Sequence, residues 1–123
     1  MILGKVNSNR EAIISLAVIG ENYQQQKIKA IIDTGYTGFL TLPSTVIIAL
    51  GLTWYNRQES LLGDGSLCMF DVYEASIIWD SQVRTIEVDQ ADTDPLIGMG
   101  LLEGYELKIQ GIEGGIVTIT ALS

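Results

Sequence analysis

Along the chain, short runs of Ile, Val, Leu, Thr and Tyr recur at brief intervals with Gly, Asn or Asp between them. That rhythm belongs to strands, whose successive side chains point to opposite faces. Residues 11–19 read as one strand and residues 20–26 as a polar connection. In residues 27–32, Lys27 and Lys29 alternate with Ile28, Ala30 and Ile32, as in a half-buried strand. Asp33 to Gly38 breaks the pattern, residues 39–42 resume it, and Pro43 stops it. Ser44 is placed to cap a short helix over residues 45–50, with Gly51 as its C-terminal cap.

Leu61 and Leu62 lead into Gly63-Asp64-Gly65-Ser66, a strong hairpin-turn signal. Two long strands are expected over residues 67–79 and 83–88, joined through Asp80-Ser81-Gln82. A loop over residues 90–95 precedes Leu96-Ile97-Gly98 and a short helix over residues 99–103. Residues 105–110 and 116–120 close the chain as a hairpin around Gly114-Gly115. Without repeat, low-complexity run or linker, residues 1–123 are expected to form a single all-β domain, a barrel or sandwich with one or two short helices.

Composition narrows the chemistry. Hydrophobic residues make up 47% and charged residues 18%, a globular balance. The longest apolar runs, such as residues 46–50, fall far short of the roughly 20 residues that span a bilayer. Glu11 and Ser15 interrupt the N-terminal apolar stretch, so a soluble, cytoplasmic protein is expected. With 15 acidic and 7 basic residues the net charge is −8, which disfavours nucleic acid and anionic membrane as partners. The single cysteine, Cys68, excludes an intrachain disulfide and is expected to be a small buried apolar residue. The absence of histidine removes every Ser–His and Cys–His catalytic arrangement and makes a zinc site implausible. Carboxylates, a lysine or an oxygen-held metal remain.

One carboxylate stands apart. Asp33 directly follows the apolar residues Ile31 and Ile32, where an unpaired carboxylate would be expensive to bury. Gly35 permits a tight turn and Thr34 supplies a hydroxyl, so the segment can hold Asp33 rigidly at a strand end. By itself Asp-Thr-Gly is an ordinary turn sequence. Flanking strands on both sides and the downstream Leu96-Ile97-Gly98 triplet shift the balance towards a functional site.

The ordered set Ile32-Asp33-Thr34-Gly35, Gly63-Asp64-Gly65 and Leu96-Ile97-Gly98 resembles the retropepsin-like (clan AA) aspartic proteases, and the run from Asp33 to Pro43 is similar to small prokaryotic members. That resemblance implies a closed β-barrel with a flap hairpin, and peptide hydrolysis without metal or cofactor. It implies Asp33 as the catalytic carboxylate, Thr34 and Gly35 as its brace and turn, and Leu96, Ile97 and Gly98 as support for the loop. Gly63, Asp64, Gly65 and Ser66 would form the flap tip over an extended polypeptide substrate, with Tyr36 narrowing a pocket expected to prefer hydrophobic side chains. Tyr36 departs from the small residue common at its position, and Met99-Gly100-Leu101-Leu102 lacks the arginine of viral relatives.

Such chemistry needs one carboxyl group as base and another as acid. Two adjacent aspartates cannot both ionise and so share a proton; aspartic proteases are the type case of this effect. The chain has one Asp-Thr-Gly, so the second carboxylate is expected from a homodimer partner. The strand at residues 116–120 is expected to be an open edge contributing to that interface. The competing function is a catalytically inactive retropepsin-fold binding or scaffolding module. Two smaller expectations complete the reading. Trp54, Tyr55 and Trp79 are taken as core or cross-strand packing. Asp89, Asp92 and Asp94 are taken as a solvated acidic loop rather than a calcium site.

Overall fold

The computed structural model describes residues 1–61 and 63–123, so the expectation that Leu62 leads into the hairpin turn lies outside the described residues. Among the described residues, ten strands form one sheet: β1 (Ile2–Val6), β2 (Ala12–Ile19), β3 (Gln25–Ile32), β4 (Leu40–Leu42), β5 (Thr53–Leu61), β6 (Leu67–Trp79), β7 (Gln82–Gln90), β8 (Leu96–Ile97), β9 (Tyr105–Ile109) and β10 (Ile116–Ala121). Two short α-helices, α1 (Ser44–Leu50) and α2 (Met99–Leu102), and a 3-10 turn over Glu21–Tyr23 interrupt them among the described residues. The sheet order is β5-β6-β7-β4-β8-β3-β2-β1-β10-β9, and β6 also pairs with β2.

That extra pairing, Ala17↔Ile78 to Ile19↔Ser76, folds the sheet over its own apolar face. The all-β expectation therefore stands. A closed barrel is not established, because several joins are minimal: β4 meets β8 through Leu40↔Ile97 alone, and β3 meets β8 through Ile31↔Leu96 and Ile32↔Ile97. The core gathers one residue from each inward position of the long strands, including Ile14, Leu16 and Val18 of β2, Ile77 of β6 and Val88 of β7. Leu40, Leu42 and Ile97 are fully buried, so the shortest strands lie deepest. Among the described residues, no helix is long and apolar enough to cross a membrane.

Several local expectations need correction. The strand β1 was not anticipated, since it is short and carries Gly4. It forms because β2 and β10 flank it, and a Cβ on Gly4 would press on Ile13 O and on Ile14 Cγ2 at 2.7 Å. The polar β5 was not anticipated either, because as the outermost strand it buries little. The C-terminal strand β10 is no edge: it lies between β1 and β9, and β9 is the edge instead.

Helix α1 begins at Ser44, with Pro43 at the N-cap position and no side-chain cap from its own segment. Asp92 supplies the cap, accepting from Ser44 N and Ser44 Oγ at 3.1 Å each. The far end follows the expectation, with Gly51 left-handed at φ 62° and its N–H bonded into the last turn. Cys68 is exposed rather than buried, because it sits on the projecting part of β6 beyond the core. Trp79 is buried and meets Tyr105 edge-on, with ring centroids 5.7 Å apart. Trp54 and Tyr55 are half-exposed, since β5 has no layer above it.

Candidate active site

The segment from Asp33 to Gly38 leaves the end of β3 and is clamped from the side by β8 and α2. Ile31 N donates to Pro95 O at 2.9 Å, and Asp33 N donates to Ile97 O at 2.8 Å. Gly98 N donates to Phe39 O at 3.1 Å, Met99 N to Tyr36 O at 2.8 Å and Gly100 N to Gly38 O at 3.0 Å. The backbone of Leu96 to Gly100 thus bonds to both arms of the loop, and Leu96 N donates to Thr41 Oγ1 at 2.9 Å, satisfying a hydroxyl on a nearly fully buried residue. Such backbone bonding leaves little freedom for the strand end that carries Asp33.

Within the loop, Gly35 N donates to Asp33 Oδ1 at 2.9 Å and Tyr36 N donates to Asp33 O at 3.2 Å. This is an Asx-type turn, with the carboxylate bonded to its own backbone two residues on. Asp33 is half-buried, whereas Thr34 and Gly35 are exposed. Glycine is required further along, at Gly98. A Cβ there would press into Gly38 O and lie 2.6 Å from Tyr36 Cδ2, so the loop and the α2 entry approach too closely for any side chain.

Tyr36 lines the cleft beside the loop and is also braced from within. Its ring packs over Gly38 and Gly98, and its hydroxyl donates to Asp89 Oδ2 at 2.5 Å. Burial, followed by the bond to Asp89 and the charges of Asp89 and Glu87, pushes the Tyr36 hydroxyl pKa upward, so it stays a donor. Burial also raises the Asp89 carboxyl, partly opposed by the Tyr36 bond. Asp89 is therefore a partner within β7 and no part of a solvated loop. Nothing in the sequence paired Tyr36 with a residue so distant; only the parallel β4–β7 pairing, Thr41↔Asp89, brings them together.

The expected flap is the β5–β6 hairpin, registered from Thr53↔Glu74 to Leu61↔Leu67. At its tip, Ser66 N and Ser66 Oγ donate to Asp64 Oδ1 at 2.9 and 2.6 Å, and Gly65 adopts φ 85°. The Ser66 hydroxyl, then its N–H, hold the Asp64 carboxyl below its ordinary value. Lower on the hairpin, Trp54 Nε1 and Arg57 Nε both reach Asp71 Oδ1 at 3.2 Å.

Between the loop and this hairpin lies a groove of about 410 Å³, lined by Gly35 to Phe39, by Gln58, Ser60 and Phe70 of the hairpin, and by Glu87 and Asp89. Its lining is mixed rather than hydrophobic, contrary to the expected pocket character, because the outward positions of β7 are acidic. A larger concavity of about 730 Å³ lies over the outer face of β1, β2 and β3, between Leu3, Lys5, Lys29 and Ile31, and does not include the loop. Among the described residues, no three His, Cys, Asp or Glu side chains gather to hold a metal ion.

No family model matches the chain, and no curated protein sequence matches it. Among solved structures, its fold is similar to the crystal structure of a retropepsin-like aspartic protease from Rickettsia conorii, at 20% identity and a TM-score of 0.61. The match covers 99% of this chain and 91% of the other. At that identity the likeness is one of fold: an all-β, retropepsin-like chain.

Proposed function

We propose that this chain is an aspartic endopeptidase that works as a homodimer, with Asp33 of each copy forming one catalytic dyad. The observation that carries the reading is the position of Asp33. Its carboxylate stands on a turn anchored by the Asp33 N to Ile97 O bond, and the residues that follow it in the loop, Gly35 to Phe39, line a groove that a hairpin overhangs. A rigid carboxylate at a groove is what positioned acid–base chemistry needs. The retropepsin-like fold similarity supports the same assignment.

In the dimer, the two Asp33 side chains share one proton. The ionised member takes a proton from the attacking water, and the protonated member donates to the scissile carbonyl oxygen. The dyad titrates as a unit, since a symmetric pair has no separate site values. Thr34 and Gly35 hold the turn, while Leu96, Ile97 and Gly98 support it from below. The hairpin tip, Gly63 to Ser66, closes over a substrate bound in extended form through its backbone. No cofactor or metal takes part in this scheme, and the polar groove beside Tyr36 receives one substrate side chain.

Asp33→Asn tests the reading. It keeps an acceptor for Gly35 N and should fold and dimerise normally, while hydrolysis of a peptide library falls roughly 10³-fold or more. Retained turnover in that variant would overturn the assignment.

A further inference from the structure

We propose that the concave outer face of β1, β2 and β3 is a docking surface for an extended polypeptide segment that carries alternating acidic and apolar side chains. The concavity, of about 730 Å³, does not include the Asp33 loop, so this binding role stands apart from the peptidase reading.

Strand alternation builds the face. Val6, Ile14 and Ala30 point inward and are buried, so their neighbours Lys5, Ile13, Ser15, Lys29 and Ile31 point outward. Pairing then fixes where each one stands. Lys5 lies opposite Ile13 and Ile13 opposite Ile31, which makes an apolar floor across β2 and β3 with Lys5 at one end. Lys29, opposite Ser15, is two residues along β3 from Ile31. Leu3, 61% exposed, extends the apolar surface on β1.

Charge singles this face out. The whole chain carries −8, yet the stretch before Asp33 holds four basic residues, Lys5, Arg10, Lys27 and Lys29, against two acidic ones, Glu11 and Glu21. Among the described residues, Lys5 and Lys29 join no ion pair, whereas Arg57 is paired with Asp71 and Lys108 with Glu106. The acids in the lining, Glu11 and Asp94, sit outside the strands, and Glu11 is held by Asn7 Nδ2 at 2.9 Å. Two unpaired ammonium groups flanking apolar side chains complement a ligand that is both anionic and apolar.

Spacing selects the ligand. Lys5 and Lys29 are two strands apart and offset by two residues, so at ordinary strand spacings their Cα atoms lie roughly 12 Å apart. Along an extended chain, side chains on one face repeat about every 6.7 Å, so acids four residues apart span about 13 Å. Such a segment sets one acid on each lysine and the apolar side chain between them over Ile13. A flat anionic bilayer cannot follow a concave face, and a phosphate backbone has no use for the apolar floor.

The test is fluorescence anisotropy of a labelled seven-residue probe with glutamate at its second and sixth positions, valine at the fourth, and serine or threonine elsewhere. The full parent chain should bind it saturably. Lys5→Ala and Lys29→Ala should each weaken binding roughly threefold, and Lys5→Glu with Lys29→Glu roughly 10-fold or more. The doubly reversed chain should in turn bind a probe with lysine in place of each glutamate. Arg57→Ala removes the same charge from the β5–β6 hairpin and should leave the dissociation constant unchanged. Absence of saturable binding, indifference to the lysine changes, or an equal loss in Arg57→Ala overturns the docking face. Tighter binding of phosphatidylserine vesicles or of single-stranded DNA with the same lysine dependence overturns it too, as does self-association of the parent that the double reversal abolishes. Peptide cleavage enters none of these readouts, so the face and the Asp33 assignment stand or fall separately.

Discussion

Two turns in this molecule use the same local chemistry and end in opposite settings. In both Asp33-Thr34-Gly35 and Asp64-Gly65-Ser66, an aspartate Oδ1 accepts the N–H two residues on at 2.9 Å. Around Asp33, backbone bonds from Ile97, Gly98, Met99 and Gly100 fasten the loop, and Tyr36 seals its underside. Around Asp64 there is solvent: a Cβ on Gly63 or Gly65 would meet nothing within 4 Å. An Asx turn by itself sets a local bend, while the neighbours of that bend decide whether it is a fixed platform or a movable tip.

The largest expected contrast is chemical. Set beside the roughly 10³-fold loss expected for Asp33→Asn, Asp64→Asn should leave peptide cleavage within about threefold, because its turn serves only the tip. Equal losses in the two variants would erase the distinction. Next is packing. Gly98→Ala forces a methyl into Gly38 O and Tyr36 and should cost about 3 kcal/mol in urea unfolding, whereas Gly63→Ala should leave the midpoint unchanged. A Gly98→Ala chain as stable as the parent would mean that the loop can move aside.

A smaller effect concerns Tyr36. Tyr36→Phe leaves the half-buried Asp89 carboxylate without its donor and should lower stability by about 1–2 kcal/mol at neutral pH. The smallest effect is a slope. Burial raises the Asp89 carboxyl pKa, so the folded chain binds that proton more tightly than the unfolded one. Stability from this group is then full below its ordinary value near pH 4 and falls as pH rises through the raised value. Asp89→Asn keeps an acceptor for Tyr36 and should flatten that part of the pH–stability curve; an unchanged slope would place the titration elsewhere.

Much of the fold was legible from residue patterns, and the reason differs by element. The strands β2, β3 and β6 carry alternating or extended apolar runs that only a sheet can bury, and Gly51 marked the end of α1 by its need for a left-handed backbone. β1 and β5 were missed because their own residues carry a weak signal: one borrows its stability from two neighbours, the other is polar and outermost. Cys68 was read as buried because its residue type favours burial, and Trp54 and Tyr55 as core or cross-strand packing, of which Trp54 shows the cross-strand kind opposite Tyr73; type does not reveal which stretch of a long hairpin projects beyond the core. The site divides the same way. Asp33, Gly35 and Gly98 stood out by sequence context, whereas the Tyr36–Asp89 bond and the Asp92 cap on α1 join positions far apart in the chain.

By itself the sequence determined the all-β class, the turn that carries Asp33, and the exclusion of histidine-dependent catalysis, since each follows from side-chain chemistry or from contacts a few residues apart. Tertiary structure alone decided that β9 and not β10 is the open edge, that Tyr36 is tied to Asp89 while lining the groove, and that Glu87 and Asp89 share that groove with the loop. Those outcomes depend on which strands become neighbours, and strand order is set by the burial of the whole sheet rather than by any one segment.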